Sequence, residues 1–229
     1  MKYPALAACA LLLATAGCSR FPGEPKPGIE VPRPEAITSF NTLYNQNCAG
    51  CHGDQGQNGV SFDLANPVYQ AWADDASLKS IIANGEPGTQ MSAFAQSAGG
   101  FLTDAQVDIL VNGMRSKWDK PDALNGQTPP PYTTTLKGDA TRGQQVYQTA
   151  CARCHQKPSK DITNPTYLAL VSDRMLRTVI VAGRPDIGHP DWRGYVPGRA
   201  LTDQEVTDVV AWLASKRIAT PGQPYPHPQ

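Results

Sequence analysis

Cys48-Ala49-Gly50-Cys51-His52 and Cys151-Ala152-Arg153-Cys154-His155 are two copies of one pattern within a chain of 229 residues. Each is the C-x-x-C-H signature of covalent haem attachment. In such a site the two thiols add across the vinyl groups of one porphyrin, and the next residue, His, lies under the iron as its proximal ligand. Two covalently bound haem c groups are therefore expected, one on Cys48, Cys51 and His52, the other on Cys151, Cys154 and His155. A zinc site would need four ligands converging from pairs 103 residues apart, and a C-x-x-C redox motif is the other competing reading. Neither accounts for a His after both pairs.

Six cysteines are present, and the motifs leave only Cys9 and Cys18, so no structural disulfide is available. Lys2, the apolar run Ala5 to Ala16 and the small residues Ala16-Gly17 have the character of an export signal, too short to span a bilayer as a mature helix. Ala14-Thr15-Ala16-Gly17-Cys18 resembles a bacterial lipobox, in which cleavage leaves an N-terminal cysteine lipidated on sulfur; Thr15 departs from the Leu usual there. Residues 1–18 thus read as a lipoprotein-type signal segment. Cys18 is the expected lipidation site, anchoring an exported chain to a membrane on its periplasmic side. An ordinary signal peptide cut nearby, leaving a soluble periplasmic protein, is the alternative. Residues 19–34 hold five prolines and two glycines, the composition of an extended tether.

Residues 35–120 and 137–217 can be laid over each other, so an internal duplication is expected. Residues 121–136, with Pro129-Pro130-Pro131 and Thr133-Thr134-Thr135, read as a Pro/Thr-rich linker, and 218–229 as a proline-rich tail. Tyr44 corresponds to Tyr147. Thr103 with Gln106 and Thr202 with Glu205 read as capping boxes behind Leu102 and Leu201. Val107, Leu110, Val111 and Met114 then line one helix face, as do Val206, Val209, Val210 and Leu213. Both units should end in an amphipathic helix.

In its haem motifs, terminal helices and intervening loops the chain resembles the diheme kind of class I c-type cytochromes, over both halves. The resemblance implies an all-α fold of two tandem class I cytochrome c domains, in which first and last helices cross beside the haem. Each half has about 80 residues, marginal for an apolar core alone, and a buried porphyrin would supply the missing apolar area.

The second axial ligand sets whether such an iron transfers electrons or binds small molecules. Met91, in the Gly/Pro-rich loop from Gly85 to Phe94, stands where the resembling family places its Met ligand. Aligning Gly85 with Gly183 and Pro87 with Pro185 puts His189 opposite Met91, where the family usually has Met, so the second haem is expected to be bis-histidine. Met175 and His227 are the other candidates for that position, and Met114 faces Leu213, an ordinary buried helix position. A thioether ligand raises the potential relative to two imidazoles.

Overall formal charge is zero. Residues 35–120 hold four basic and nine acidic residues, net −5, and residues 137–217 twelve basic and eight acidic, net +4. Such polarity can orient docking. The basic residues are dispersed and no recognition motif accompanies them, so nucleic acid is not an expected partner. The expected role is non-catalytic electron transfer between redox protein partners or within a respiratory complex. A haem-based redox enzyme and a small-ligand sensor with an open second haem are the alternatives.

Overall fold

A computed structural model describes residues 31–220. The expected signal segment with Cys18, most of the expected tether, and the tail from residue 221 with His227 lie outside the described residues. Residues up to Ala36 form a unit of their own, whose described part holds one 3₁₀ turn, Pro34–Ala36. The rest of the chain is a second unit.

Within that second unit the two halves repeat one order of helices. The first half runs α1 (Phe40–Asn47), the one-turn α2 (Ala49–His52), α3 (Pro67–Trp72), α4 (Asp75–Asn84) and α5 (Asp104–Trp118). The second runs α6 (Ala140–Val146), a π-helical turn (Tyr147–Cys151), α7 (Ala152–His155), α8 (Pro165–Ala169), α9 (Asp173–Ala182) and α10 (Asp203–Ala214). Among the described residues there is no strand, only isolated bridges, so the fold is all-α.

Local sequence explains where these helices begin. Asn66 and Asn164 each cap a helix with Pro at its start, and Asp74 and Ser172 cap the next pair through their side-chain oxygens. Thr103 with Gln106 and Thr202 with Glu205 close as reciprocal capping boxes. Loss of such a cap costs about 1 kcal/mol. Helices α4 and α9 both end at a glycine in positive φ, Gly85 at 70° and Gly183 at 72°, which releases the chain into the loops that hold Met91 and His189.

In each half the first and last helices cross at a glycine. A Cβ on Gly113 of α5 would lie 2.0 Å from the Phe40 ring of α1; one on Gly143 of α6 would lie 2.0 Å from the Asp208 carbonyl oxygen of α10. Around the first crossing Phe40, Tyr44 and Trp118 form an aromatic cluster with centroids 5.1–5.9 Å apart, and at the second Tyr147 lies 4.4 Å from Trp212. Asp208, almost fully buried, accepts from the Asp139 amide, Arg142 and Gln204.

Residues 121–136, a linker by composition, are bound into the structure between the halves. A proline has no N–H, but its carbonyl remains a full acceptor. Trp72 Nε1 donates to Pro130 O at 2.6 Å, and Arg177 donates to Pro131 O at 2.6 and 3.1 Å. Tyr132 is buried, its ring 4.7 Å from Trp72 and 6.4 Å from Tyr69. One hydrophobic cluster consequently runs through both halves.

Candidate functional site

Each motif is folded as a single helical turn. Cys48 caps α2, and the amides of Cys51 and His52 both donate to its carbonyl, at 3.1 and 2.9 Å. Residues three apart on a helix share a face, so both thiols of a pair reach the same side. Cys48 is half-buried and Cys151 buried, while Cys51 and Cys154 are exposed.

The motif histidines are oriented identically. His52 Nδ1 lies 2.7 Å from the Phe62 carbonyl and His155 Nδ1 2.7 Å from the Lys160 carbonyl. A carbonyl can only accept, so Nδ1 is the donor in both rings, which leaves Nε2 as the nitrogen available to a metal, as in metal-binding histidines. Burial lowers the His52 pKa, against the Phe62 hydrogen bond, and keeps that ring neutral.

Burial, with Cys51 adding to it, pushes the Cys48 thiol up to about 12; burial and Cys154 push Cys151 up to about 11. A thiol held protonated is a poor zinc ligand and a poor redox nucleophile. Among the described residues no group of three His, Cys, Asp or Glu is placed to hold a metal ion.

The two loops that follow share one frame. Glu86 N donates to Met91 O at 2.9 Å and Arg184 N to His189 O at 3.0 Å, which makes Met91 and His189 structural equivalents. In the second loop His189 N also returns a bond to Arg184 O at 2.9 Å, and Arg184 grips Asp186 through three contacts of 2.6–3.2 Å. Met91 is half-buried against the core. Met175, the competing candidate, is fixed in the first turn of α9, its amide bonded to Ser172 Oγ at 3.1 Å.

His155 and His189, 34 residues apart, face each other with ring centroids 6.0 Å apart. Rings at this separation are close enough for one nitrogen of each to hold a single metal ion between them. Burial, then the positive charge available on His155, lower the His189 pKa, so the neutral form that binds metal is favoured. His189 Nδ1 and the Tyr195 hydroxyl are buried without hydrogen-bond partners, 5.6 Å apart as rings. Unpartnered buried polar atoms cost about 1–3 kcal/mol each. Paired thiols, oriented imidazoles and these orphan atoms fit a haem c group in the second half, and the first half repeats the thiols and the oriented His52 ring.

Residues 35–112 match the family described as cytochrome C oxidase, cbb3-type, subunit III, and residues 140–216 match cytochrome c. The chain carries two cytochrome c domains in tandem. Such domains imply haem c binding. The cbb3-type cytochrome c oxidase subunit CcoP of Azospirillum sp. (strain B510) is 30% identical over 131 residues, covering 52% of this chain and 39% of that protein. The cbb3-type cytochrome c oxidase subunit FixP of Bradyrhizobium sp. (strain ORS 278) is 26% identical over 171 residues, 67% of this chain and 53% of its own length. Dihydro-heme d1 dehydrogenase of Pseudomonas aeruginosa is 33% identical over 100 residues, 41% of this chain and 19% of its length. The matched stretch is thus no more than about half of any of these relatives.

Three site features escaped the motif reading. The carbonyls of Phe62 and Lys160 orient the motif histidines, the buried Tyr195 packs on His189, and the capping Asn66 bonds the Ala182 and Gly183 carbonyls. A usable signal existed for two of them: Asp63-Leu64-Ala65-Asn66-Pro67-Val68-Tyr69 repeats as Asp161-Ile162-Thr163-Asn164-Pro165-Thr166-Tyr167, directly after the two acceptor carbonyls. Tyr195 has no such counterpart, since Ser97 stands at its place in the first domain.

Proposed function

We propose that this chain is an exported diheme c-type cytochrome that passes single electrons between respiratory partners and carries out no bond chemistry of its own. Haem c bound on Cys48 and Cys51, and on Cys151 and Cys154, supplies a one-electron Fe(III)/Fe(II) couple in each domain. His52 and His155 are the proximal ligands, Met91 and His189 the distal ones. The Met91 thioether favours ferrous iron and the His189 imidazole ferric iron, so the first domain is the high-potential end and the second the low-potential end. The observation that carries this reading is the 6.0 Å approach of His155, at the end of α7, and His189, on a loop 34 residues further along the chain.

Cys18 is the proposed lipid anchor, holding the chain on the periplasmic side of a membrane; no described helix is long and apolar enough to cross one. The relatives named as oxidase subunits support a place beside or within a respiratory complex. The acidic first domain is suited to a basic partner and the basic second domain to an acidic one.

The test is an intact mass together with a spectroscopic redox titration. Two covalent haems, two separate one-electron waves and no ready reaction of the reduced protein with CO are expected. One haem, or two coincident potentials with rapid CO binding, would refute the reading and favour an open-haem enzyme or sensor. Electron-transfer rates that ignore ionic strength would remove the charge-steering part.

A further inference from the structure

Each distal loop is gripped from the opposite domain. Asn66, 1% exposed, donates its side-chain N–H groups to two consecutive carbonyls across the domain interface, Ala182 O at 3.0 Å and Gly183 O at 3.1 Å. Its oxygen accepts from Val68 N and Tyr69 N at 2.9 and 3.2 Å, so the whole amide is engaged and rigidly oriented. Gly183 is the hinge at which α9 ends and the His189 loop begins, and a Cβ there would lie 2.7 Å from the backbone of Pro190, the neighbour of His189. In the other direction Arg174 of the second domain pairs with Glu86 at 3.1 Å, with its guanidinium 5.5 Å from the Tyr132 ring. The Glu86 amide is the one that donates to Met91 O.

We propose that Asn66 and Arg174 are crossed positioning residues: Asn66 of the first domain fixes the His189 loop, and Arg174 of the second fixes the Met91 loop. The proposal rests on the reading that His189 and Met91 cap the two irons. Asn66 holds the stronger grip, because its bonds are buried while the Arg174 side chain is 40% exposed and screened by solvent. The repeat supplies an internal control. Asn164 has the same sequence surroundings and caps α8 through Tyr167 N at 3.0 Å, yet it is exposed.

The experiment uses the full-length protein with its haems. Asn66→Asp and Asn66→Ser keep a capping oxygen but remove the two cross-domain donors; Asn164→Asp and Arg174→Gln are made alongside. Low-temperature EPR, potentials of both haems and hydrogen exchange of the 184–192 amides are measured. Either Asn66 variant should alter the signal and potential of the second domain's haem, speed exchange at Arg184 and His189 at least tenfold, and leave the Met91 signal in place. Arg174→Gln should do the reverse, more weakly, and Asn164→Asp should change neither. An Asn66 effect confined to the first haem, or unchanged signals in both Asn66 variants, overturns the proposal. Failure of the underlying reading shows separately, as a second-haem signal that survives His189→Ala; failure of this proposal alone shows as a signal that is lost in His189→Ala but indifferent to Asn66.

Discussion

Where their first and last helices cross, the two domains place large and small residues in opposite order. In the first, Phe40 of α1 lies over Gly113 of α5; in the second, Gly143 of α6 lies against α10 at Asp208 and Trp212. Phe40 and Gly143 occupy matching places in the repeat, as do Gly113 and Trp212. What is retained is the close approach, which needs one large and one absent side chain. The surroundings differ accordingly: the first crossing is sealed by Phe40, Tyr44 and Trp118, the second by a buried carboxylate and its three partners.

The buried carboxylate is the place to break that comparison hardest. Asp208→Ala strands the Asp139 amide and Gln204, and should cost about 2–3 kcal/mol by chemical denaturation followed by helical circular dichroism. Burial raises the Asp208 pKa, but hydrogen bonds from Arg142, the Asp139 amide and Gln204 outweigh it, so the folded value lies below the ordinary one. Its stabilisation is therefore complete above the unfolded value of about 3.9 and is lost as pH falls through the folded value. Acid titration should loosen the second domain first, and Asp208→Asn should flatten that dependence.

Next come the two glycines. Gly143→Ala sets a methyl against backbone that cannot rotate away, an overpacking loss of up to about 3 kcal/mol, from which roughly 1 kcal/mol of gained helix propensity is subtracted. Gly113→Ala meets only the Phe40 side chain, which can move at the expense of its contacts with Tyr44 and Trp118, so its net loss should be smaller than that of Gly143→Ala. Equal destabilisation by both variants would show that the crossings are not solved differently. Smallest of all is Lys79→Ala, which removes the exposed pair with Asp108 at 2.6 Å; its denaturation midpoint should be indistinguishable from that of the parent.

Much of this plan was legible in the sequence because it rests on local chemistry. The haem motifs, both capping boxes and the glycines that open the Met91 and His189 loops are encoded within a few residues each. The equivalence of Met91 and His189 followed from aligning Gly85-x-Pro87 with Gly183-x-Pro185, and the loop hydrogen bonds agree with it. What could not be read was long-range. Asn66-Pro67-Val68-Tyr69 and Asn164-Pro165-Thr166-Tyr167 are nearly the same words, yet Tyr69 is 5% exposed and Tyr167 48%. Only the fold decides which copy faces the other domain. The proline-rich segment joins the two domains, and what its composition does not reveal is that its carbonyls accept from Trp72 and Arg177.

The central claim is that two domains of one design differ at the distal ligand, Met91 in the first and His189 in the second. Low-temperature EPR of the oxidised protein, repeated on Met91→Ala and His189→Ala, tests it most directly. Two low-spin species are predicted, one imidazole–thioether and one bis-imidazole, the first lost in Met91→Ala alone and the second in His189→Ala alone. A single kind of low-spin haem, or a high-spin second haem that His189→Ala leaves unaltered, would contradict it.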